Sequence, residues 1–191
     1  MSDLARIEGR VCRVLRHDID TDQIIPARFL KATSKQGIGE GLFADWANEP
    51  GFPTRDPEYA GAPILLAGVN FGCGSSREHA AWALVQNGYR VVIARSFADI
   101  FRQNALKNGV VPVALDEPDH AALVSFLAGE PTATVRVELV AGKAFFGAHA
   151  AAFDLEPFAK KCLLEGVDEL GYILARLHLI QAWEATFEGG R

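Results

Sequence analysis

The sequence holds only three cysteines in 191 residues, Cys12, Cys73 and Cys162. They are odd in number and far apart, so no disulfide framework is implied. No C-x-x-C pair occurs, which argues against a zinc site and against an iron–sulfur cluster ligated within this chain. That usage fits a reduced, cytoplasmic protein. Long apolar runs are missing too. None reaches the roughly 18 residues that a membrane-spanning helix needs, and the opening MSDLARIEGR lacks the apolar core of a secretory leader. A basic excess is absent: 19 Lys+Arg against 24 Asp+Glu give a formal net charge of −5. This argues against a general nucleic-acid binder but leaves room for a local basic pocket. There is no internal repeat and no low-complexity tract. What remains is 49% hydrophobic and 23% charged residues, the make-up of an ordinary globular chain long enough to bury a core without staples.

Residues 9–15, GRVCRVL, alternate and predict a strand. Residues 31–63 carry Gly37, Gly39, Gly41, Pro50, Gly51, Pro53, Pro57, Gly61 and Pro63, and are expected to form a mobile loop without long regular elements. The middle is more regular. ILLAG (64–68), RVVIA (90–94) and VVPVAL (110–115) predict buried strands, with Pro112 placing the last at an edge. Between them lie predicted helices from Arg77 to about Asn87 and over 96–109, the latter with Ser96 as N-cap. Residues 116–128 also read as a helix. TATVRVELV and KAFFGAH predict a hairpin across Ala141-Gly142. From about Leu155 the chain is helical, with a break near Gly166. Alternating strands and helices predict βαβ units on a mainly parallel sheet, and the β-rich ends predict a second, more antiparallel layer. The class is α/β, in one domain spanning 1–191.

Two segments carry candidate chemistry. In NFGCGSSREHAAWAL (70–84), Gly72 and Gly74 permit a tight turn. The helix start then offers unpaired N–H groups to an anion, and Arg77 offers a carboxylate clamp. The same residues fit a capping box with Ser75 as N-cap and Glu78 at N3. No Walker or full dinucleotide fingerprint is present. The second segment, Asp18-Ile19-Asp20-Thr21-Asp22-Gln23, begins like a calcium loop. It fails at Gln23, where glycine is required, and at Phe29, where the bidentate acid belongs. It is either a plain turn or a turn carrying a catalytic carboxylate.

Taken together, D-I-D-T-D-Q-I-I-P, N-F-G-C-G-S-S-R-E-H, S-F-A-D-I-F and N-G, with Phe43-Ala44-Asp45-Trp46 and Lys161–Gly166, resemble the small-subunit family of 3-isopropylmalate dehydratases, the swivel-domain relatives of aconitase. The resemblance covers nearly the whole chain. It implies a swivelling β/β/α domain with a helical C-terminal extension. It also implies a hydro-lyase that moves a hydroxyl between adjacent carbons of a small dicarboxylate. Ser75 then falls on the catalytic base and Asp22 on a supporting acid. Gly74, Ser76, Arg77 and Thr21 fall on substrate-binding positions. The stretch from about Arg28 to Thr33 falls on the part that faces the variable group of the substrate, with Arg28 and Leu30 as contacts. Aconitase has a substrate-binding arginine shortly after its T-D motif. Residues 31–40 offer no equivalent, which fits an isopropyl group in place of a third carboxylate. A [4Fe-4S] cluster is implied on a separate large subunit, with none bound by this chain. Cys73 is expected to be a packed small residue and His79 a bonded buried one. Homoaconitase-like and citraconate-type small subunits are close alternatives, and a non-catalytic carboxylate-binding module of the same fold is a further one.

Overall fold

In a computed structural model that describes residues 3–30 and 37–188, the strands are fully buried where the sequence is continuously apolar. β3 (Ile64–Ala67) and β4 (Val91–Ala94) are buried at every position. Such strands must be covered on both faces. With β2 (Val11–Val14) and β5 (Val111–Ala114) they form a parallel sheet in the order β2-β3-β4-β5. Pro112 lies on the edge strand β5, as expected. A second sheet is antiparallel, in the order β1-β6-β7-β8, from β1 (Arg6–Gly9), β6 (Val135–Glu138), β7 (Lys143–Phe146) and β8 (His149–Ala152).

Side chains of the parallel strands divide by alternation. Ile64, Leu66, Val91 and Ile93 pack with Val135, Val137 and Leu139 of the second sheet region and with Leu123 and Leu127. Those two leucines belong to α4 (Glu117–Gly129). Leu65, Ala67, Val92 and Ala94 turn the other way, toward Leu84 and Phe101. These last two lie on α2 (Glu78–Gln86) and α3 (Asp99–Lys107). The order of layers is therefore helix, parallel sheet, antiparallel sheet, which is the β/β/α arrangement.

Several local expectations are revised. Residues 9–15 are not one strand. The chain leaves the antiparallel sheet at Gly9 and enters the parallel sheet at Val11, so Arg10 is a crossing point between sheets. The alternation of apolar residues continues across it, which hides the break. KAFFGAH is not a single strand either: β7 and β8 pair antiparallel, with Phe146 opposite His149. Helix α3 begins later than predicted, with Ala98 as N-cap, because the Ser96 hydroxyl is engaged elsewhere. The helical extension is α5 (Pro157–Glu165), α6 (Glu169–Leu174) and α7 (Leu177–Glu188), with a left-handed Gly166 closing α5.

The breaker-rich segment lacks long elements, as expected, and forms short 3-10 turns. Even so, Ile38, Leu42, Phe43 and Phe52 within it are buried in the helix-side core. Residues 31–36 lie outside the described residues. No described helix is long and apolar enough to cross a membrane.

Candidate active site

Loops leaving β2, β3 and β4 at the carboxyl edge of the parallel sheet are bonded to one another. This edge is where open α/β sheets commonly hold ligands. Asp18 donates its N–H to the Val69 carbonyl at 2.9 Å, and Gly72 donates to the Ile19 carbonyl at 2.7 Å. Thr21 donates its N–H to the Cys73 carbonyl at 2.9 Å. Asn70 binds both neighbours: its side-chain amide donates to Asp18 Oδ1 at 2.8 Å, and its N–H donates to Ser96 Oγ at 2.8 Å. Asp18 and Asn70 both hold positive φ, 50° and 59°. Asp and Asn tolerate that region better than most side chains. The two motifs singled out in the sequence are thereby laid side by side.

The glycines of the second motif have distinct reasons. Gly72 has φ of 78°, and a Cβ there would collide with the Phe101 ring. Gly74 has φ of 87° and more open surroundings, so its backbone conformation is what requires glycine.

Ser75 does not cap the helix. The N-cap of α2 is Arg77, with no side-chain cap bond. The capping box lies in the other motif, around α1 (Thr21–Ile24): Gln23 N–H donates to Asp20 Oδ1 at 2.8 Å, and Asp20 N–H donates to Gln23 Oε1 at 2.9 Å. Glu78, the expected partner in a serine box, accepts from Asn108 Nδ2 at 2.9 Å instead. Gly74, Ser75 and Ser76 are exposed.

Arg77 forms an ion pair with Asp22; its side chain is 17% exposed and that of Asp22 52%. Thr21 is 1% exposed, and its hydroxyl donates to the Ser75 carbonyl at 3.0 Å. Gly74, Ser75, Ser76, Arg77, Thr21 and Asp22 are thus brought together. Arg28 and Leu30 are not joined to this group by any hydrogen bond or ion pair among the described residues. Arg28 pairs with Asp45 at 2.6 Å and lies over the Phe29 ring at 5.0 Å. Leu30 is half-buried against the helix-side core. The rest of the expected specificity stretch, 31–33, falls outside the described residues. His79 is half-buried rather than buried, and its ring lies tilted against Trp82, with ring centroids 4.5 Å apart.

The cysteines do not form a metal centre. Cys12 is buried among core residues, and burial pushes its thiol up to about 11. Cys73 is half-buried; desolvation, then the charges of Asp20 and Asp18, raise its thiol, which disfavours the thiolate a metal requires. Cys162 is buried on α5. Among the described residues no three His, Cys, Asp or Glu side chains converge as a donor set. What the edge does offer is an exposed hydroxyl, a guanidinium held from behind by a carboxylate, and the first turn of a nine-residue helix. These groups suit a carboxylate ligand approached from solvent or from another protein.

The Asn70–Asp18–Ser96 clamp was not anticipated. Its members belong to three separate loops, and Ser96 has the local sequence of a helix cap, so only the sheet brings them together.

The aconitase C-terminal domain model matches residues 1–118. A 3-isopropylmalate dehydratase small subunit of Anaeromyxobacter sp. (strain K) is 52% identical, with all of both chains covered. A protein of the same name from Herpetosiphon aurantiacus is 51% identical over 97% of this chain and 95% of its own. The crystal structure of a 3-isopropylmalate dehydratase from Methanocaldococcus jannaschii matches with a TM-score of 0.69 at 28% identity, over 94% of this chain and 99% of that one. With its β/β/α layering and its serine loop at the sheet edge, the chain belongs to the aconitase C-terminal domain family, among the 3-isopropylmalate dehydratase small subunits.

Proposed function

We propose that this chain is the small subunit of an isopropylmalate isomerase that interconverts 2-isopropylmalate and 3-isopropylmalate by dehydration and rehydration, a step of leucine biosynthesis. The observation that carries this reading is the joining of two motifs more than fifty residues apart, through the Asp22–Arg77 ion pair and the Thr21–Ser75 hydrogen bond. Arg77 uses part of its five-donor fork on Asp22 and keeps the rest for a substrate carboxylate. Ser76 and the first turn of α2 add donors beside it. Ser75 stands free of any cap at the same point and serves as the base that removes the proton from the carbon next to the carboxylate, then returns it. A serine oxyanion is costly in water. It is stabilised here by the neighbouring amides, the helix N-terminus and the guanidinium.

Departure of the hydroxyl calls for a Lewis acid, which a [4Fe-4S] cluster on a large subunit would supply. We assign the cluster to that partner on the family resemblance; the scattered positions of Cys12, Cys73 and Cys162 support that assignment. The exposure of Ser75 and Ser76 supports a site completed by the partner's surface. The three unpaired cysteines support a reducing, cytoplasmic setting.

The test is co-expression with a cluster-bearing large subunit, followed by anaerobic assay of both isopropylmalates. The wild-type complex is expected to interconvert them, and the chain alone is not. Ser75→Ala is expected to associate normally and lose on the order of 100-fold or more in kcat with KM little changed. An assembled, cluster-loaded complex inactive on both acids would overturn the assignment. A near-normal kcat for Ser75→Ala would remove Ser75 as the base.

A further inference from the structure

We infer that Thr21 is a positioning residue: two hydrogen bonds from it aim the amide groups that flank the Ser75 hydroxyl. This rests on the isomerase reading above and adds a role to a residue expected to touch substrate. Thr21 is 1% exposed, so its side chain has no surface for a ligand. Its N–H donates to the Cys73 carbonyl at 2.9 Å and its hydroxyl to the Ser75 carbonyl at 3.0 Å. The two bonds bracket Gly74, whose positive φ reverses the chain between them.

A trans peptide is planar, with its N–H pointing opposite to its C=O. A Cys73 carbonyl drawn inward therefore turns the Gly74 N–H outward. A Ser75 carbonyl drawn inward turns the Ser76 N–H outward in the same way. Among the described residues no hydrogen bond uses the N–H of Gly74, Ser75 or Ser76. These donors belong to Ser75 and its two chain neighbours, beside the oxygen that carries negative charge while the Ser75 hydroxyl is deprotonated. Donors aimed at that oxygen lower the cost of deprotonating the serine and so raise the share of complex that carries the reactive base. Thr21 itself is held on its other side: its carbonyl accepts the Ile25 N–H at 3.0 Å, and it opens α1 behind the Asp20–Gln23 capping box. The chain of support runs from α1 through Thr21 to the serine loop.

The test uses the assembled complex. Thr21→Val keeps β-branching and replaces the hydroxyl by a methyl group. It is expected to lower kcat by about tenfold or more while KM stays within about threefold. Thr21→Ser restores the donor and is expected to recover most of kcat. Thr21→Ala serves as a second hydroxyl-free variant should valine overpack the site. The inference is overturned if an assembled Thr21→Val or Thr21→Ala variant keeps kcat within about twofold of wild type. It is overturned equally if Thr21→Ser is as impaired as Thr21→Val, which would make the methyl group the important feature. If neither hydroxyl-free variant associates with the large subunit, the hydroxyl serves folding and the inference also fails. Wild-type inactivity on both isopropylmalates would instead reject the isomerase reading, so the two failures are distinguishable.

Discussion

In the proposed isomerase, Arg77 and Leu30 are assigned a shared and a variable part of the substrate. A carboxylate clamp grips a feature common to every acid of this class, so Arg77, held by Asp22, cannot choose among side groups. Choice has to come from apolar shape, and one methylene in an apolar pocket is worth roughly 1–3 kcal/mol, or about 10–200-fold. Leu30 closes the short 3-10 turn Ala27–Phe29, half-buried against the core. Leu30→Arg is expected to lower kcat/KM for isopropylmalate relative to a tricarboxylate such as homoaconitate by about tenfold or more. The cation would face an isopropyl group in one case and a third carboxylate in the other. The ratio is measured with the large subunit held constant. No change in a folded, assembled variant would move the choice to other residues of the loop or to the partner.

At the scale of elements, the breaker-rich segment shows how a chain without regular structure can still be fixed. Phe43, Trp46 and Phe52 stack and pack edge to face, with ring centroids 5.7–5.8 Å apart. The Arg16 guanidinium lies 4.2 Å from the centre of the Trp46 ring, and Arg16 also pairs with Glu49. Phe43 N–H donates to the Ile24 carbonyl at 2.8 Å, tying the segment to α1 and so to the site. Glycine and proline density predicts short turns correctly but says nothing of burial, because burial depends on aromatic residues that meet only after folding. Hydrogen exchange on the isolated chain is expected to show protected amides at Phe43 and Trp46. Exchange there as fast as in an unstructured peptide would contradict this packing and support a mobile loop.

Two cores share one parallel sheet in the molecule as a whole, and the helix-side core holds a titratable pair. Burial, as the largest cause, raises both the Cys12 thiol and the Tyr89 phenol, which belong to the same core. The folded state therefore retains the Cys12 proton at pH values where the unfolded chain loses it. The stability from keeping this thiol neutral is full below the ordinary value of 9.0 and is lost as pH rises toward about 11. The raised phenol acts in the same direction at higher pH. Thermal melts should show Tm falling above about pH 9, and Cys12→Ala should flatten the first part of that fall. A wild-type Tm that is level from pH 8 to 11 would show that the pair stays solvated.

Much of this architecture is written locally. Continuous apolar runs of four or five residues predict β3, β4 and β5, since only strands covered on both faces can be so uniformly hydrophobic. The residue types at 18–22 and 70–77 mark both halves of the site. Other features depend on contacts between distant segments. Whether Ser75 is a helix cap or a free hydroxyl turns on where α2 starts, and the loop's bonds to Thr21 and its neighbours place that start at Arg77. Whether Ser96 caps α3 turns on Asn70, which reaches it first from another loop. The change of sheets at Arg10 follows from strand partners more than fifty residues away along the chain. Alternation, glycine spacing and capping preference act over a few residues, so the sequence determines the elements and the chemical groups they carry. Hydrogen bonds between loops act over any separation, so the tertiary structure alone decides which of those groups is left free to react.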